Sequence, residues 1–329
     1  MATKIQNQEK GNDQNNYIFF LSLVDIKAPL PFEIIPNHFI DRVKPGQIKV
    51  IKNFLKEYGL SHLSIYVYEK SQVQAISREN GDIEYQSELL PPEKWKYWAI
   101  SYKGRSQEIQ NIQNVTLLLK EQIEFGPEFR LNDESSLSMS NFPAIMSYLT
   151  SKEVIHSIQP TAQISAEDLK NIQLYYSLLK GLKPEYSYIT NAINLLNELR
   201  ALPRESDFIS IGLFSIIESL LSHNPKLDYF HDSIKHQIKT KIPLLRKRFV
   251  RTLDYGEYFK NGVKEEKILS NLYDYRSAIV HAGNSKIPND LSSILIGKEE
   301  VRKFLVELTK LLIITALMEP ELVTDLKSC

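Results

Sequence analysis

Residues Leu272–Asn284 read LYDYRSAIVHAGN, and the spacing inside this stretch decides the fold of the second half of the chain. Ile268, Leu272 and Ile279 recur at helical intervals and predict the buried stripe of a helix that Gly283 ends. Arg276 follows Leu272 by four residues, so it projects within the same arc and is aimed at the core. A guanidinium taken out of water without partners is costly. Arg276 must therefore pair with a carboxylate or face a polar cleft shared with a ligand. His281 lies at the end of the helix, where unpaired carbonyls favour an imidazolium. Five residues rotate two side chains apart by ~140° on a regular helix. The heads of Arg276 and His281 thus meet only through a distorted helix end, or through two such helices related by a two-fold axis.

Upstream, Phe208–His223 reads FISIGLFSIIESLLSH and is apolar nearly all round. Ile209, Leu213, Ile216 and Leu220 mark one side, while Phe208, Ile211 and Phe214 mark another that also carries Glu218. A buried acid wants a cation, and Arg276 is the natural candidate. That pair could be purely structural, with His281 capping carbonyls, or it could orient the guanidinium for a phosphate. Tyr273, Tyr275 and Asn284 are placed to line the same cleft, with packing and turn roles as the alternative.

The helical period extends over the whole region after Pro160, with segments expected at about 166–181, 185–201, 205–223, 229–250, 263–282 and 298–318. Ser165 followed by Asp168 has the form of an N-terminal cap, and Pro243 predicts a kink or break. Between Ser233 and Leu253 stand Lys235, Lys239, Lys241, Arg246, Lys247, Arg248, Arg251 and His236, with Asp and Glu absent from the interval. Of these, Lys239, Lys241, Arg246, Lys247, Arg248 and Arg251 are the candidate RNA contacts, because basic side chains grip phosphates without regard to sequence. A solvated charged face is the alternative.

The first half has a different character. Residues 1–16 carry almost nothing to bury and are expected to be a disordered tail. From Tyr17 to Pro160 the chain holds nine of its fifteen prolines, with strands expected at Tyr17–Val24, Leu60–Tyr68 and Tyr97–Lys103. Turn chemistry at Asn80-Gly81-Asp82, helices at Gln47–Tyr58 and Gln107–Ile123, and a surface loop at Arg130–Ser140 complete the picture. The expected fold class is α+β: an N-terminal mixed α/β domain over 17–160 with a sensing or regulatory role, then an all-α bundle over 165–329.

Composition sets outer bounds. Forty Lys and Arg balance forty Asp and Glu, so any polyanion site must come from local clustering. The single cysteine, Cys329, leaves no disulfide within the chain and suits a reducing cytosol, and the polar start MATKIQNQEKGNDQNN lacks the apolar core of a signal peptide. The expected location is cytoplasmic, away from membranes. His38, His62, His156, His223 and His231 show no metal-ligand spacing, and neither a metal nor a cofactor is expected.

The segment YRSAIVHAG, with Arg276, four intervening residues and His281, resembles the motif of HEPN domains. Its surroundings are similar to the Apea-like branch of that superfamily. The likeness takes in Glu218, Leu220 and Leu221 as a Glu-x-Leu-Leu element and spans roughly Pro203–Pro320. It implies a HEPN helical bundle that forms a homodimer, with Arg276 and His281 of both copies making one composite endoribonuclease site. Cleavage through the RNA's own 2′-hydroxyl would need no metal and would leave 2′,3′-cyclic phosphate and 5′-hydroxyl ends. Many such relatives are toxins or antiviral effectors against phage, and others are catalytically silent. Active members often carry Asn, Asp or His directly after the Arg, where this chain has Ser277. The functional expectation is a metal-independent ribonuclease, a hydrolase-class nuclease acting on an RNA substrate, with a regulatory protein or trigger at the first domain. The competing expectation is a silent HEPN module that binds RNA or a regulatory partner. A metal-dependent hydrolase in the first half finds no His/Asp/Glu cluster to support it.

Overall fold

The computed structural model describes residues 15–57, 68–69, 74–78, 83–86, 88–103, 107–131, 136–138, 162–203, 206–224, 233–282, 286–297 and 299–329. Residues 1–14 of the expected tail, most of the strand at 60–68, the turn at 80–82 and Asn284 lie outside the described residues, whereas Asn15 and Asn16, expected in the tail, begin the first strand, held there by pairing with its neighbours on both sides. The fold is α+β, an antiparallel sheet region followed by helices, and it divides into two compact units.

The first unit is built on a sheet of order β3-β4-β7-β1-β8-β9, from β1 (Asn15–Phe20), β3 (Phe32–Ile35), β4 (His38–Arg42), β7 (Trp98–Lys103), β8 (Phe125–Leu131) and β9 (Ser136–Ser138). Every neighbouring pair in it is antiparallel. Alternation explains its two faces. Ile18, Ile40 and Ile100 stand opposite one another across β1, β4 and β7 and are buried. Their neighbours Tyr17, Phe39 and Ser101 form a row on the other face and keep partial access to water. A parallel pair of β2 (Val24–Lys27) and β10 (Ala162–Ser165), and a hairpin of β5 (Gln74–Ser77) and β6 (Ile83–Gln86), complete the strands described.

Helix α1 (Pro45–Glu57) presents Ile48, Ile51, Phe54 and Leu55 to the interior, the stripe expected from its period. The buried Glu69 is held by Lys52 at 2.7 Å and by the Tyr97 hydroxyl at 2.8 Å, and so satisfies the rule that a buried acid is paired. The segment expected as a loop at 130–140 contains β9, which turns back on β8 with Phe129 opposite Leu137. Its polar residues read as loop because one strand of three residues carries too little pattern.

The second unit gathers Gln110–Gln122 and Asn171–Cys329. Its helices are α2 (Ile109–Thr116), α3 (Ala166–Lys180, shared with the first unit), α4 (Ser187–Leu199), α5 (Asp207–Leu221), α6 (Ile234–Arg246), α7 (Glu265–Ala282), α8 (Asn289–Ile294), α9 (Glu300–Met318) and α10 (Pro320–Ser328). The division thus falls differently from 17–160 and 165–329, since Gln110–Gln122 joins the helices. Helix α2 is shorter than the expected 107–123. Leu117, Leu118 and Leu119 are all buried, which tight i→i+3 turns achieve where a continued helix would expose one of them.

Ser165 and Asp168 make the expected reciprocal cap, with Ser165 N donating to Asp168 Oδ2 at 2.8 Å and Asp168 N to Ser165 Oγ at 3.1 Å. Pro243 does not break α6. It sits in the last turn, where the missing amide costs only one hydrogen bond, and the helix continues to Arg246. The sequence reading missed α8 and α10. The latter starts on Pro320 as its first helical residue, separated from α9 by Glu319 at φ −132°, ψ 62°.

Helix α5 is the centre of this unit, with Leu213, Phe214, Ile216, Ile217, Leu220 and Leu221 all buried. Gly212 permits its closest approach: a Cβ there would lie 2.3 Å from Leu199 Cδ2 of α4. No helix among the described residues is long and apolar enough to cross a membrane.

Candidate functional site

Ile268, Leu272 and Ile279 of α7 are buried, and Arg276 lies between them along the same arc. Its guanidinium meets Glu218 of α5 in a two-point contact: Nη2 donates to Oε2 at 3.1 Å, and Nε stands 3.1 Å from Oε1 outside hydrogen-bonding geometry. Both side chains are mostly covered, 20% and 16% exposed respectively. Burial pushes the Glu218 carboxyl above its ordinary range, and the charge and hydrogen bond of Arg276 pull it partly back.

One turn along, Tyr273 of α7 meets Phe214 of α5 edge to face, with ring centroids 6.4 Å apart at 88°. The Arg276 guanidinium carbon lies 5.8 Å from the Tyr273 ring centre, so the ring screens one side of the ion pair. Burial raises the Tyr273 phenol, Glu218 raises it further and Arg276 opposes both. Two adjacent rungs, one aromatic and one ionic, therefore fasten α5 to α7. Ser277 is partly exposed beside them.

His281 is exposed in the last turn of α7 and has no hydrogen-bond partner among the described residues. The helix remains α-helical to Ala282, so the rotation of ~140° between Arg276 and His281 stands. The helix end is not distorted in the way that would turn the two side chains toward each other within one chain. Among the described residues, no group of three His, Cys, Asp or Glu could hold a metal ion.

Within the basic strip one residue needs correction. Lys241 is no surface contact: it is 6% exposed, and its ammonium donates to the Leu221 carbonyl at 2.9 Å and to Gln237 Oε1 at 3.2 Å. Helix α6 turns its remaining cations toward acids. Lys239 meets Glu266 at 2.9 Å, Arg246 meets Glu265 at 3.4 Å, and Lys235 meets Asp274 at 2.7 Å, all three acids lying on α7. Lys239 holds the Glu266 carboxyl below its ordinary range.

Beyond α6, Arg248 pairs with Glu319 at 3.6 Å and Arg251 with Glu307 at 2.7 Å. Lys247 is exposed and carries no ion pair among the described residues. A charge-free count along α6 could not see these acids. The acids stand on α7, at Glu265, Glu266 and Asp274, and their spacing there is not that of a single helix stripe.

A further cation escaped the sequence reading. Lys310 of α9 is 3% exposed, donates to the Leu119 carbonyl at 2.7 Å, and is pushed down to about 8 by burial. Within an apolar run such as FLVELTKLLIITAL, only a lysine at a buried helical position betrays it. Comparison of the chain with protein-family models, with curated proteins and with solved structures finds no match in any of the three.

Proposed function

We propose that the helical unit is a HEPN-type, metal-independent endoribonuclease that acts as a homodimer. The observation that carries the reading is Arg276, a mostly covered guanidinium aligned by Glu218, on the same helix as an exposed and unpartnered His281. Glu218 fixes the plane of the guanidinium while leaving donors on Nη1 and Nη2 for a phosphate. His281, free at the helix end, is the group able to move the proton of the 2′-hydroxyl. Because the two heads diverge on one helix, the competent site combines residues of two copies. Ser277 beside Arg276 is a further hydrogen-bonding group for the scissile phosphate.

The experiment uses the purified full chain, short single-stranded RNA and excess EDTA. Products with 2′,3′-cyclic phosphate and 5′-hydroxyl ends are expected, and His281→Ala should slow their formation by about 100-fold or more, the usual contribution of a proton-transferring side chain. Equal cutting by His281→Ala removes the assignment.

One observation favours a second reading, a silent module that binds RNA or a regulatory protein. Glu218 already occupies one edge of the guanidinium, and the cations of α6 are engaged by acids of α7. Intact RNA in the same assay, with retention that weakens as salt rises, would select this reading.

A further inference from the structure

Strands β4, β7 and β1 run side by side in the first unit, and their register sets Phe39, Ser101 and Tyr17 in one row on the face that keeps access to water. Strands lie ~4.8 Å apart, so the two aromatic side chains stand on the order of 10 Å from each other with a serine between them. Ser101 Oγ donates to the Phe39 carbonyl at 3.4 Å, which keeps the floor between the rings low. A trough of about 260 Å³ opens here, lined by all three residues. Sites that enclose a small ligand usually hold ~300–1,000 Å³, so an occupant of this trough lies along the face rather than inside it.

Elsewhere in the unit, aromatic side chains are taken up by one another. Phe19 meets Tyr68 with ring centres 5.2 Å apart, Tyr68 meets Tyr97 at 5.0 Å, and Phe20 stacks on Phe125 at 5.6 Å, all of them buried. Tyr17 and Phe39 are half-buried and make no ring contact among the described residues, where the Tyr17 hydroxyl also finds no hydrogen-bond partner. A ring face left open in this way is a platform for another flat group.

Charge fixes the sign of the occupant. Arg42, Lys44 and Lys103 line the trough against one acid, Asp41, a local excess in a chain whose forty basic and forty acidic residues balance. Lys44 is exposed at the rim with no ion pair among the described residues, while Arg42 is held by the Trp95 carbonyl at 2.9 Å and over the Trp98 ring at 4.6 Å. The acids are partly spent on backbone: Asp41 Oδ1 accepts from the Arg42 amide at 2.7 Å, and Glu33, across from Phe39, accepts from the Asn37 amide at 2.9 Å. An apolar peptide would want a continuous apolar groove, which Ser101, Asp41 and Lys44 interrupt. Open rings flanked by cations suit a polymer of flat bases and phosphates.

We propose that this face binds single-stranded RNA, with one base on Tyr17 and a second base on Phe39. Bases in a stacked strand follow one another at about 3.4 Å, a third of the distance between the rings. The bound strand is therefore splayed, as the loops and ends of RNA are when proteins stack their bases on aromatic side chains. Its phosphates pass the exposed Lys44 and Lys103, contacts that are indifferent to sequence. The remaining oxygen of Asp41 accepts from an exocyclic base amine. The site lies wholly within the first unit and stands whether or not the helical unit cuts RNA.

Fluorescence anisotropy of the full chain tests this with a short labelled RNA strand methylated on its 2′-hydroxyls, which cannot be cut through them, so that binding and cutting fail separately. The matching duplex, a DNA strand of the same sequence, polyphosphate and an acidic peptide serve as competitors. The single strand should bind at least about ten-fold tighter than the duplex, since paired bases offer no face to the rings. Tyr17→Ala and Phe39→Ala should each weaken binding by about ten-fold, the scale of one lost stacking contact, while Tyr17→Phe and Phe39→Tyr retain it. Lys44→Glu, an exposed change, should weaken binding and lower the salt slope by about one or more. Absence of binding, equal binding of the duplex, preference for the DNA strand, equal competition by polyphosphate or the acidic peptide, or full binding by a folded Phe39→Ala overturns the proposal. So does full binding by Lys44→Glu, even where the alanine variants do not fold.

Discussion

Helix α7 is fastened on two sides by ion pairs of the same chemical kind. Toward α5 it offers one arginine, in two-point contact with Glu218 and mostly covered. Toward α6 it offers Glu265, Glu266 and Asp274 to a row of cations, and two of these acids are well exposed, Asp274 at 55% and Glu266 at 75% of the side chain. The first contact is a single pair with an aromatic rung beside it; the second is a zipper of three. Number favours the zipper, yet burial decides the energetics. Exposed pairs gain little over hydration, whereas a covered charge that loses its partner keeps its full desolvation cost.

That contrast can be broken most sharply at Glu218. Glu218→Ala leaves the Arg276 guanidinium covered and unpaired, and should lower stability by about 2 to 3 kcal/mol, less than a fully buried pair because both side chains keep some water. Urea unfolding reads this directly, and a loss no larger than that of a surface mutation would erase the distinction between the two sides.

Lys310 sharpens the point, because it is a covered charge satisfied by carbonyls rather than an acid in contact. Its folded value of about 8 lies below the unfolded value of 10.5, so the unfolded chain binds the extra proton between these limits. Stability should therefore rise from pH 8 to pH 10.5, where the cost of burying the ammonium fades, and should carry that cost in full below pH 8. The difference in urea midpoint between the parent and Lys310→Met, followed across that window, should change with pH. A constant difference would mean that Lys310 titrates as an ordinary lysine.

The smallest effect belongs to the zipper. Lys235→Ala removes one exposed contact with Asp274 and should cost no more than about 0.5 kcal/mol, shrinking further at high salt. A loss comparable with that of Glu218→Ala would show that the three pairs act as a network.

Much of this was legible in the chain. The periods of α3, α4, α5 and α7 could be read because each buries a stripe, that of α9 because its long apolar run is buried on every side, and the Ser165–Asp168 cap because its chemistry is local. The pairing of Arg276 with Glu218 followed from an acid and a base each set on an apolar face, which leaves few ways to satisfy either. The ion pairs of the basic strip could not be read, for the opposite reason. Charges on α6 say nothing of which surface meets them, and α7 brought Glu265, Glu266 and Asp274 alongside. Lys241, one turn from Gln237, was drawn inward to the Leu221 carbonyl.

The sequence by itself determined the helical character of the second half, the inward aim of Arg276 and its need for a carboxylate or a polar cleft, because side-chain period and the cost of an unpaired charge are properties of the local chain. Only the tertiary structure decided which cations remain free, that Lys310 is enclosed, and that Tyr17, Phe39, Ser101 and the start of α1 share one cavity. These depend on register between strands and on contacts between helices far apart in sequence, where a shift of one residue would send every side chain to the other face.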